Sequence, residues 1–527
     1  MFWVGLLIRG GGNNSPRPAS QRAAALVLTA ALLTGAAFPA FADTYYIENG
    51  DIVISAGTEA GTNKVEQGGT LKSENDKGTI ISSSNKDTAS SHTVTINAED
   101  KNDKVEVTLK DVNIDASSRN EAAVSVTGKG DTTIELDGDN ELKSGAGHAG
   151  LEHNKTDTSG ELTIQDKDKN GSLEAAGGFK GAGIGSAGSN DAQVKITGGN
   201  ITATSDDWGA GIGSGSYGTG TVEITGGEIN ATGGYLGAGI GGGCNGSGNV
   251  TISGGTITAA GGDGAAGIGG GYYNGATVTI TGDAVIKNAS TTVYGAGIGG
   301  GNGYDGDVTI SGNAKIENAT GGYGAAGIGG GAFSSPDKIG NGNVVIKDNA
   351  VINNAQGGSL GAGIGGGYGG GYAGLGDVTI EGNTTVNATG GAGAAGIGSG
   401  VDSVNDAAGN GNKITIRSNE TGTPTVNATG GESSIDEETE EKIPGGAGIG
   451  SGAGDAKADI TLEGKVTIVA KAGEGNAAIG DMNGEQVFTG LDGSITRYDS
   501  EGNDTTLPTD PGYPVPAAPS SSGGGSA

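Results

Sequence analysis

Hydrophobic and polar residues alternate in short segments along most of the chain, and the segments recur in sets of three. One set consists of residues 250–253, 256–259 and 266–269. Alternation with a period of two residues places one face of an extended strand inward and the other in water. Pairs such as Gly254-Gly255 separate the segments, and glycine accepts positive φ angles at little cost. The pattern therefore predicts three strands per repeat, joined by tight corners.

Each set of three carries one copy of the motif Gly-Ala-Gly-Ile-Gly or a close variant, and the copies recur about once every thirty residues. The isoleucines of the ten copies are Ile184, Ile212, Ile240, Ile268, Ile298, Ile328, Ile364, Ile397, Ile449 and Ile479. Self-similarity at a fixed period of this size is typical of a stacked array rather than of one globular core.

We predict an all-β fold, a right-handed parallel β-helix with about 28–30 residues and three strands per coil. Equivalent positions of successive repeats hold like residues, for example Ile224, Ile252 and Ile280, so like side chains stack on like. Glycine interrupts every apolar run and no 3.6-residue period is present, which excludes an α-solenoid. At ~4.8 Å per coil, about fourteen coils would form a rod on the order of 70 Å long.

The first 42 residues have the features of a secretory signal peptide. Arg9, Arg17 and Arg22 precede an apolar stretch over residues 23–38, and residues 40–42 supply a small-x-small cleavage site. Cleavage there predicts a secreted protein, either extracellular or at the cell surface. An uncleaved membrane anchor is the alternative. No other segment is apolar and long enough to cross a bilayer.

The rest of the chain divides into four regions. Residues 43–150 show strands without the strict glycine motif, which is typical of the coils that cap a solenoid. Residues 151–482 form the regular glycine-rich array, and residues 483–498 form a C-terminal cap. Residues 499–527 are rich in proline, serine and glycine, the composition of a linker or a truncated tail.

Composition narrows the range of partners. The chain has 114 glycines, 33% hydrophobic residues and a formal net charge of −31. In an aperiodic sequence these values would indicate disorder, but here the repeat supplies a core. No basic patch is present to neutralise phosphates, so we expect no nucleic acid partner. The single cysteine, Cys244, excludes an intramolecular disulfide, and we expect it to be at least partly buried.

Aromatic residues flank the glycine motif throughout the array, some four or five residues before its isoleucine and others four to eight residues after it. They are Phe179, Trp208, Tyr217, Tyr235, Tyr272, Tyr273, Tyr294, Tyr304, Tyr323, Phe333, Tyr368 and Tyr372. Equal offsets become columns in a β-helix, so we predict two aromatic ladders bordering one flat, glycine-paved face. Sugar rings stack on aromatic faces, which makes these residues carbohydrate-binding candidates. The alternative is that stacked rings only stabilise the corners.

One segment has the ligand types that calcium prefers. Asp166, Asp168 and Asn170 stand at alternate positions before Gly171, so their oxygens can wrap around a hard cation. An EF-hand loop would place glutamate at its twelfth position, which here is Gly177. We predict a calcium site at the two aspartates and the asparagine, with a plain polar turn as the alternative.

Enzymatic constellations are absent from the sequence. β-Helix lyases need an arginine or lysine base beside bound calcium, and hydrolases need clustered carboxylates. The chain after residue 42 has three arginines and three histidines, and none stands in an acid-rich cluster within the array; they are Arg119, Arg417, Arg497, His92, His148 and His153. Its Gly-x-Gly matches are repeat corners rather than phosphate loops or nucleophile elbows. We therefore expect no enzyme activity.

Three features carry a family resemblance: residues 107–114 (Val-Thr-Leu-Lys-Asp-Val-Asn-Ile), residues 130–136 (Gly-Asp-Thr-Thr-Ile-Glu-Leu), and the coils with Ile-Thr-Gly-Gly-x-Ile that follow them. Over residues 90–480 the chain resembles secreted bacterial β-helix proteins called carbohydrate-binding-domain proteins. The resemblance implies a pectate-lyase-like fold without lyase machinery, binding of plant-type polysaccharide, and bound calcium.

These observations favour a secreted or cell-surface, non-catalytic polysaccharide-binding protein whose ligand is a plant-type or acidic glycan. A structural stalk or adhesin that binds protein or matrix partners is the main alternative. A polysaccharide lyase or hydrolase is a remote alternative. An ice-binding face is another, because outward threonines such as Thr251, Thr279 and Thr309 form one column.

Overall fold

The structure is a computed structural model that describes residues 42–333, 340–369, 374–401, 411–435 and 440–514. The predicted signal peptide, except Ala42, lies outside these residues. The described chain forms a parallel β-helix of about thirteen stacked coils, as predicted from the repeat. Each coil has three sides, named A, B and C. The chain runs through side A first, then side C, then side B. Its handedness stays a prediction.

Side A consists of strands that lie parallel and in register from coil to coil. They are Thr44–Tyr46, Thr79–Ser82, Lys104–Lys110, Asp131–Asp137, Leu162–Gln165, Asp191–Ile196, Gly220–Ile224, Gly248–Ile252, Ala276–Ile280, Gly306–Ile310, Gly342–Ile346, Gly376–Glu381, Asn412–Arg417 and Ala458–Glu463.

Side C follows side A in each coil after a short turn and forms a fourteen-stranded sheet of its own. Its strands are Asn113–Asp115, Asp139–Lys143, Ser172–Gly177, Asn200–Ser205, Glu228–Thr232, Thr256–Ala260, Val285–Ser290, Lys315–Ile316, Ala319–Thr320, Val351–Gln356, Thr385–Thr389, Thr425–Thr429, Lys465–Lys471 and Asp492–Tyr498.

Side B contains the glycine motif, and its strands are very short within the array. They are Ile52–Ala56, Asn63–Gln67, Thr70–Asp76, Val94–Ala98, Val124–Gly128, Leu151–Lys155, Ile184–Gly185, Ile212–Gly213, Ile240–Gly241, Ile268–Gly269, Ile298–Gly299, Ile328–Gly329, Ile364–Gly365, Ile397–Gly398, Ile449–Gly450, Ile479–Asp481 and Gly484–Glu485. A separate hairpin pairs Ser434–Ile435 with Lys442–Ile443, and a 3-10 turn spans Ile47–Asn49.

Apolar columns fill the interior, as the sequence pattern predicts. On side A, Ile224 pairs with Ile252 and Ile252 with Ile280, and all three are fully buried. The side C column runs in the same way through Ile229 and Ile257. The backbone N–H and carbonyl groups of each strand form hydrogen bonds with the strands of neighbouring coils. The inward side chains of all coils form one continuous core.

The glycine motif contains the predicted third strand, shortened to two residues such as Ile212–Gly213, and these strands pair in parallel from coil to coil inside a tight turn. The N–H of Ala210 donates to the carbonyl oxygen of Ser214 at 3.0 Å, which closes a five-residue loop with Ile212 inside the core. The same bond joins Ala238 to Gly242 in the next coil. Every residue of these loops is buried. The expectation of an exposed, glycine-paved face is therefore wrong.

The two ends of the helix differ from the array. At the N-terminal end, Ile52–Ala56, Asn63–Gln67 and Thr70–Asp76 form an antiparallel meander. At the C-terminal end, Arg497 is fully buried and forms a two-pronged ion pair with Asp510 at 2.7 and 2.9 Å. The N–H of Ile495 also donates to the carbonyl oxygen of Pro511. The cap thus extends past the predicted 483–498 into residues that the sequence assigned to a linker.

Among the described residues, no helix has the length and apolar character needed to span a membrane.

Candidate functional site

Two corners flank each motif: the leading corner joins side C to the motif, and the trailing corner joins the motif to side A. The trailing corner of one coil donates backbone hydrogen bonds to the leading corner of the coil before it. Examples are Tyr272 N–H to the Leu236 oxygen at 3.1 Å and Asn302 N–H to the Gly264 oxygen at 2.7 Å. The corners therefore meet outside the motif loop and form one ridge along the rod.

Five of the predicted carbohydrate-binding residues lie in leading corners: Phe179, Trp208, Tyr235, Tyr294 and Tyr323. The rings of Phe179 and Trp208, one coil apart, have centroids 5.3 Å from each other. Tyr294 and Tyr323, also one coil apart, meet edge to face at 6.1 Å. Tyr235 is 59% exposed and Tyr323 49% exposed. The leading corners therefore carry an aromatic column that is open to solvent and is interrupted between Tyr235 and Tyr294, where Asp263 holds the equivalent position.

A cation adds to the first pair of this column. The Nζ of Lys180 lies 5.3 Å from the centroid of the Phe179 ring and 5.0 Å from that of Trp208. An ammonium group at this distance is attracted by the negative face of an aromatic ring. Lys180 was not predicted from the sequence, although its position directly after Phe179 was a usable signal.

The trailing corners hold Tyr217, Tyr272, Tyr273, Tyr304, Phe333, Tyr368 and Tyr372. Tyr217 is 58% exposed. Tyr272 and Tyr273 have centroids 3.9 Å apart, and Tyr273 contacts Phe333 edge to face at 5.6 Å. Tyr272 is half-buried, and burial together with its hydrogen bond to Tyr273 raises its pKa above the usual range. Tyr372 lies outside the described residues.

Tyr272 also shows how closely the two corners meet. A Cβ built on Gly264, in the leading corner, would lie 2.4 Å from Cδ2 of the Tyr272 ring. The ring therefore rests on the leading corner of its own coil. Cys244 occupies the equivalent trailing-corner position one coil earlier and is buried, as expected. The Tyr272 ring thus serves packing between the two corners.

Tyr304 borders a hollow of about 470 Å³ at the edge of side A. Asn249, Thr277, Asp305 and Asp307 line the same hollow. Burial raises the pKa of Asp305 above its ordinary value, and the nearby Asp307 acts in the same direction. This hollow is polar and acidic.

The predicted calcium residues lie in one loop, but the structure adds a carboxylate from the preceding coil. Ligand oxygens of Glu135, Asp166 and Asp168 all lie within 4.8 Å of one another. Oε2 of Glu135 is buried and has no hydrogen-bond partner, although Nζ of Lys167 lies 3.6 Å away. Asn170 donates its amide to Asp168 at 3.1 Å.

Asp166 also has a structural role in this loop. Its carboxylate accepts backbone hydrogen bonds from Lys169, Asn170 and Gly171, at 2.7 to 3.2 Å. This is the polar-turn arrangement that stands as the alternative to a cation site. Oδ1 accepts two of these bonds and Oδ2 accepts one, so Oδ2 keeps a lone pair and the turn is compatible with a bound cation.

Comparison with known protein families supports the repeat architecture. A family described as beta helix repeat matches residues 194–216, 222–244, 250–272, 308–332, 344–368 and 378–401. Each matched segment runs from a side A strand through side C and the motif into the trailing corner. The chain therefore contains β-helix repeats over these residues. No curated protein and no solved structure matches the chain.

The histidines of the chain are held in structural contacts. Nδ1 of His148 lies 2.8 Å from Oε2 of Glu152. Nδ1 of His153 lies 2.9 Å from the carbonyl oxygen of Gln193, and burial lowers the pKa of His153 below its ordinary value. His92 contacts Asp51, which Arg119 also binds.

Proposed function

We propose that this protein is a secreted or cell-surface, non-catalytic polysaccharide-binding β-helix. The observation that carries the proposal is the aromatic column of the leading corners, in which two pairs of rings one coil apart contact each other and Phe179, Tyr235 and Tyr323 stay exposed. Aromatic faces are apolar and match the C–H faces of sugar rings. An exposed row of rings on a soluble protein is costly, which favours a binding role.

The column suits an extended polymer rather than a small sugar. Coils are spaced by ~4.8 Å, so rings in successive coils offer repeated contacts along one direction. Many weak contacts along a rigid rod combine into strong retention, because the protein is ordered before the ligand binds.

The test is retention of the protein on insoluble polysaccharides, with the supernatant assayed for released sugar. Replacing Trp208, Tyr235, Tyr294 and Tyr323 by alanine should abolish retention. Tyr46→Ala is the matched control, because Tyr46 is 43% exposed but lies in the first coil, away from the ridge. Unchanged retention of the fourfold variant would refute the role of the column. Newly formed reducing ends or unsaturated sugars would refute the non-catalytic part.

A structural stalk or adhesin is the second candidate. It is supported by the single continuous core, which joins all coils into one stiff rod with a cap at each end. Under this function the fourfold aromatic variant would still attach to its protein or matrix partner. The same variant therefore separates the two functions.

We also propose calcium as a ligand of the loop after Leu162–Gln165. The three carboxylates of Glu135, Asp166 and Asp168 repel one another, and a hard cation with oxygen ligands would offset that repulsion. The buried, unbonded Oε2 of Glu135 supports this fit. The calcium would stabilise the early coils and take no part in sugar contacts, because the loop lies outside the leading corners.

A further inference from the structure

The outer face of side C borders the leading-corner aromatic column directly. In each coil the chain leaves a side C strand and enters the leading corner within a few residues: Asn200–Ser205 precedes Trp208, and Glu228–Thr232 precedes Tyr235. Val285–Ser290 likewise precedes Tyr294. The aromatic column and the outer face of side C therefore form one continuous surface.

Between Asn200–Ser205 and Thr425–Thr429 this face is built mainly from hydroxyl and amide side chains. Its central column contains Thr202, Asn230, Thr258, Asn288, Asn387 and Asn427. The columns on either side continue the pattern, so that two successive coils read Thr-Val-Asn-Ala-Thr at Thr385–Thr389 and Thr425–Thr429. These outward residues are half-buried or exposed, so their polar groups are open to a ligand.

Very little charge lies on this face. The charged residues of its strands and the bulges between them are Glu228, Lys287 and the ion pair Lys315–Glu317, whose atoms are 2.8 Å apart. Side A is different, since its outward positions over the same coils include Lys195, Glu223, Asp307, Asp377 and Lys413. A chain of net charge −31 thus keeps one long face nearly uncharged.

Hydrogen bonds between coils hold the amides of this face in place. Nδ2 of Asn427 donates to Oδ1 of Asn387 at 2.7 Å, and Nδ2 of Asn354 donates to Oδ1 of Asn318 at 3.3 Å. Each bonded amide keeps one N–H and one oxygen lone pair for a ligand. The result is a fixed lattice of donors and acceptors, about 4.8 Å apart between coils and about 6.7 Å along a strand.

We propose that this face, together with the leading-corner aromatic column, binds a neutral, hydroxyl-rich polysaccharide extended along the axis of the rod. The inference rests on the proposed function and names its ligand class. A neutral chain exchanges hydrogen bonds with the threonine and asparagine lattice and needs no charge to be desolvated. A polyanionic glycan meets few cations on this surface, such as Lys180 and Lys287, and is repelled by the net charge of the protein.

The experiment measures retention on an insoluble neutral β-glucan and on an insoluble polyuronate at the same ionic strength. The side C variant carries Thr202→Lys, Thr258→Lys and Thr389→Lys, at positions at least two coils apart. The matched side A variant carries Thr251→Lys, Thr309→Lys and Thr379→Lys. The fourfold aromatic variant is run in parallel, and far-UV circular dichroism with a thermal scan verifies that all variants are folded.

We expect wild-type retention on the β-glucan and at least about a tenfold loss in the side C variant, because each lysine must be desolvated under the ligand. The side A variant should bind like wild type. Equal retention of both lysine variants, with loss in the aromatic variant, would overturn the side C inference but keep the proposed function. Wild-type retention on the polyuronate alone would overturn the neutral ligand class. No retention on either polymer would refute the proposed function itself.

Discussion

The N–H of Ala210 donates to the carbonyl oxygen of Ser214, and this bond folds the glycine motif into a loop that carries Ile212 into the core. Gly213 follows the isoleucine with a φ of +135°. A Cβ at Gly213 would lie 2.0 Å from the carbonyl oxygen of Gly241 in the next coil. The motif is therefore rich in glycine because coils stack backbone against backbone at this position.

Gly213→Ala should destabilise the protein by about 2 kcal/mol or more, since it combines backbone strain with overpacking. Gly147→Ala is the control, because Gly147 also has a positive φ, +87°, but a Cβ there would meet nothing within 4 Å. The control should lose only about 1 kcal/mol. The measurement is the midpoint of thermal unfolding by circular dichroism. Equal shifts in the two variants would contradict this account of the motif.

Removing the partner of the buried arginine in the C-terminal cap should open that end. Asp510→Asn leaves the guanidinium of Arg497 with Glu485 as its remaining carboxylate, and breaking a buried ion pair in this way costs about 3–5 kcal/mol. We expect faster amide hydrogen exchange over Asp492–Tyr498, while the middle coils stay protected. Glu501→Gln, at an exposed position of the same cap, is the control. Unchanged exchange in the Asp510 variant would show that the cap does not depend on this pair.

Calcium should raise the midpoint of thermal unfolding relative to the protein in chelator, because a ligand that binds only the folded state stabilises it. Replacing Glu135 by glutamine or Asp168 by asparagine should remove the shift. Asp157→Asn, an exposed acid outside the cluster, should keep it. Calcium shifts of the same size in all variants would show that the ion acts elsewhere, and no shift in wild type would leave the loop as a polar turn.

Much of the fold could be predicted from the sequence, because the repeat fixes the register. Alternation marks the strands, and a constant period places Ile224, Ile252 and Ile280 in one column, as the structure confirms. The tight turn at the glycine motif could not be predicted from alternation and period. Alternation does not show that a bond between Ala210 and Ser214 folds the chain around this strand and shortens it to Ile212–Gly213.

The site was harder to predict than the fold. The aromatic positions followed from equal offsets, but their shared ridge depends on corner-to-corner bonds such as that between Tyr272 and Leu236. Glu135 was not predicted as a ligand because it lies in the coil before that of Asp166. The strand register pairs Glu135 with Gln165, so it could have shown that Glu135 and Asp166 are neighbours. The low charge of the outer face of side C is recognised only when the structure shows which residues point outward on side A and on side C.

The fluorescence of Trp208 tests the central claim most directly. The chain has two tryptophans, and Trp3 lies in the predicted signal peptide, so the protein that begins at residue 43 has Trp208 as its sole tryptophan, in the leading-corner column. Titration with a soluble neutral β-glucan should give a saturable blue shift and reduced quenching by acrylamide, because a sugar stacked on the indole excludes water. Emission from Trp208 that stays unchanged while the protein is retained on the same glucan would contradict the account.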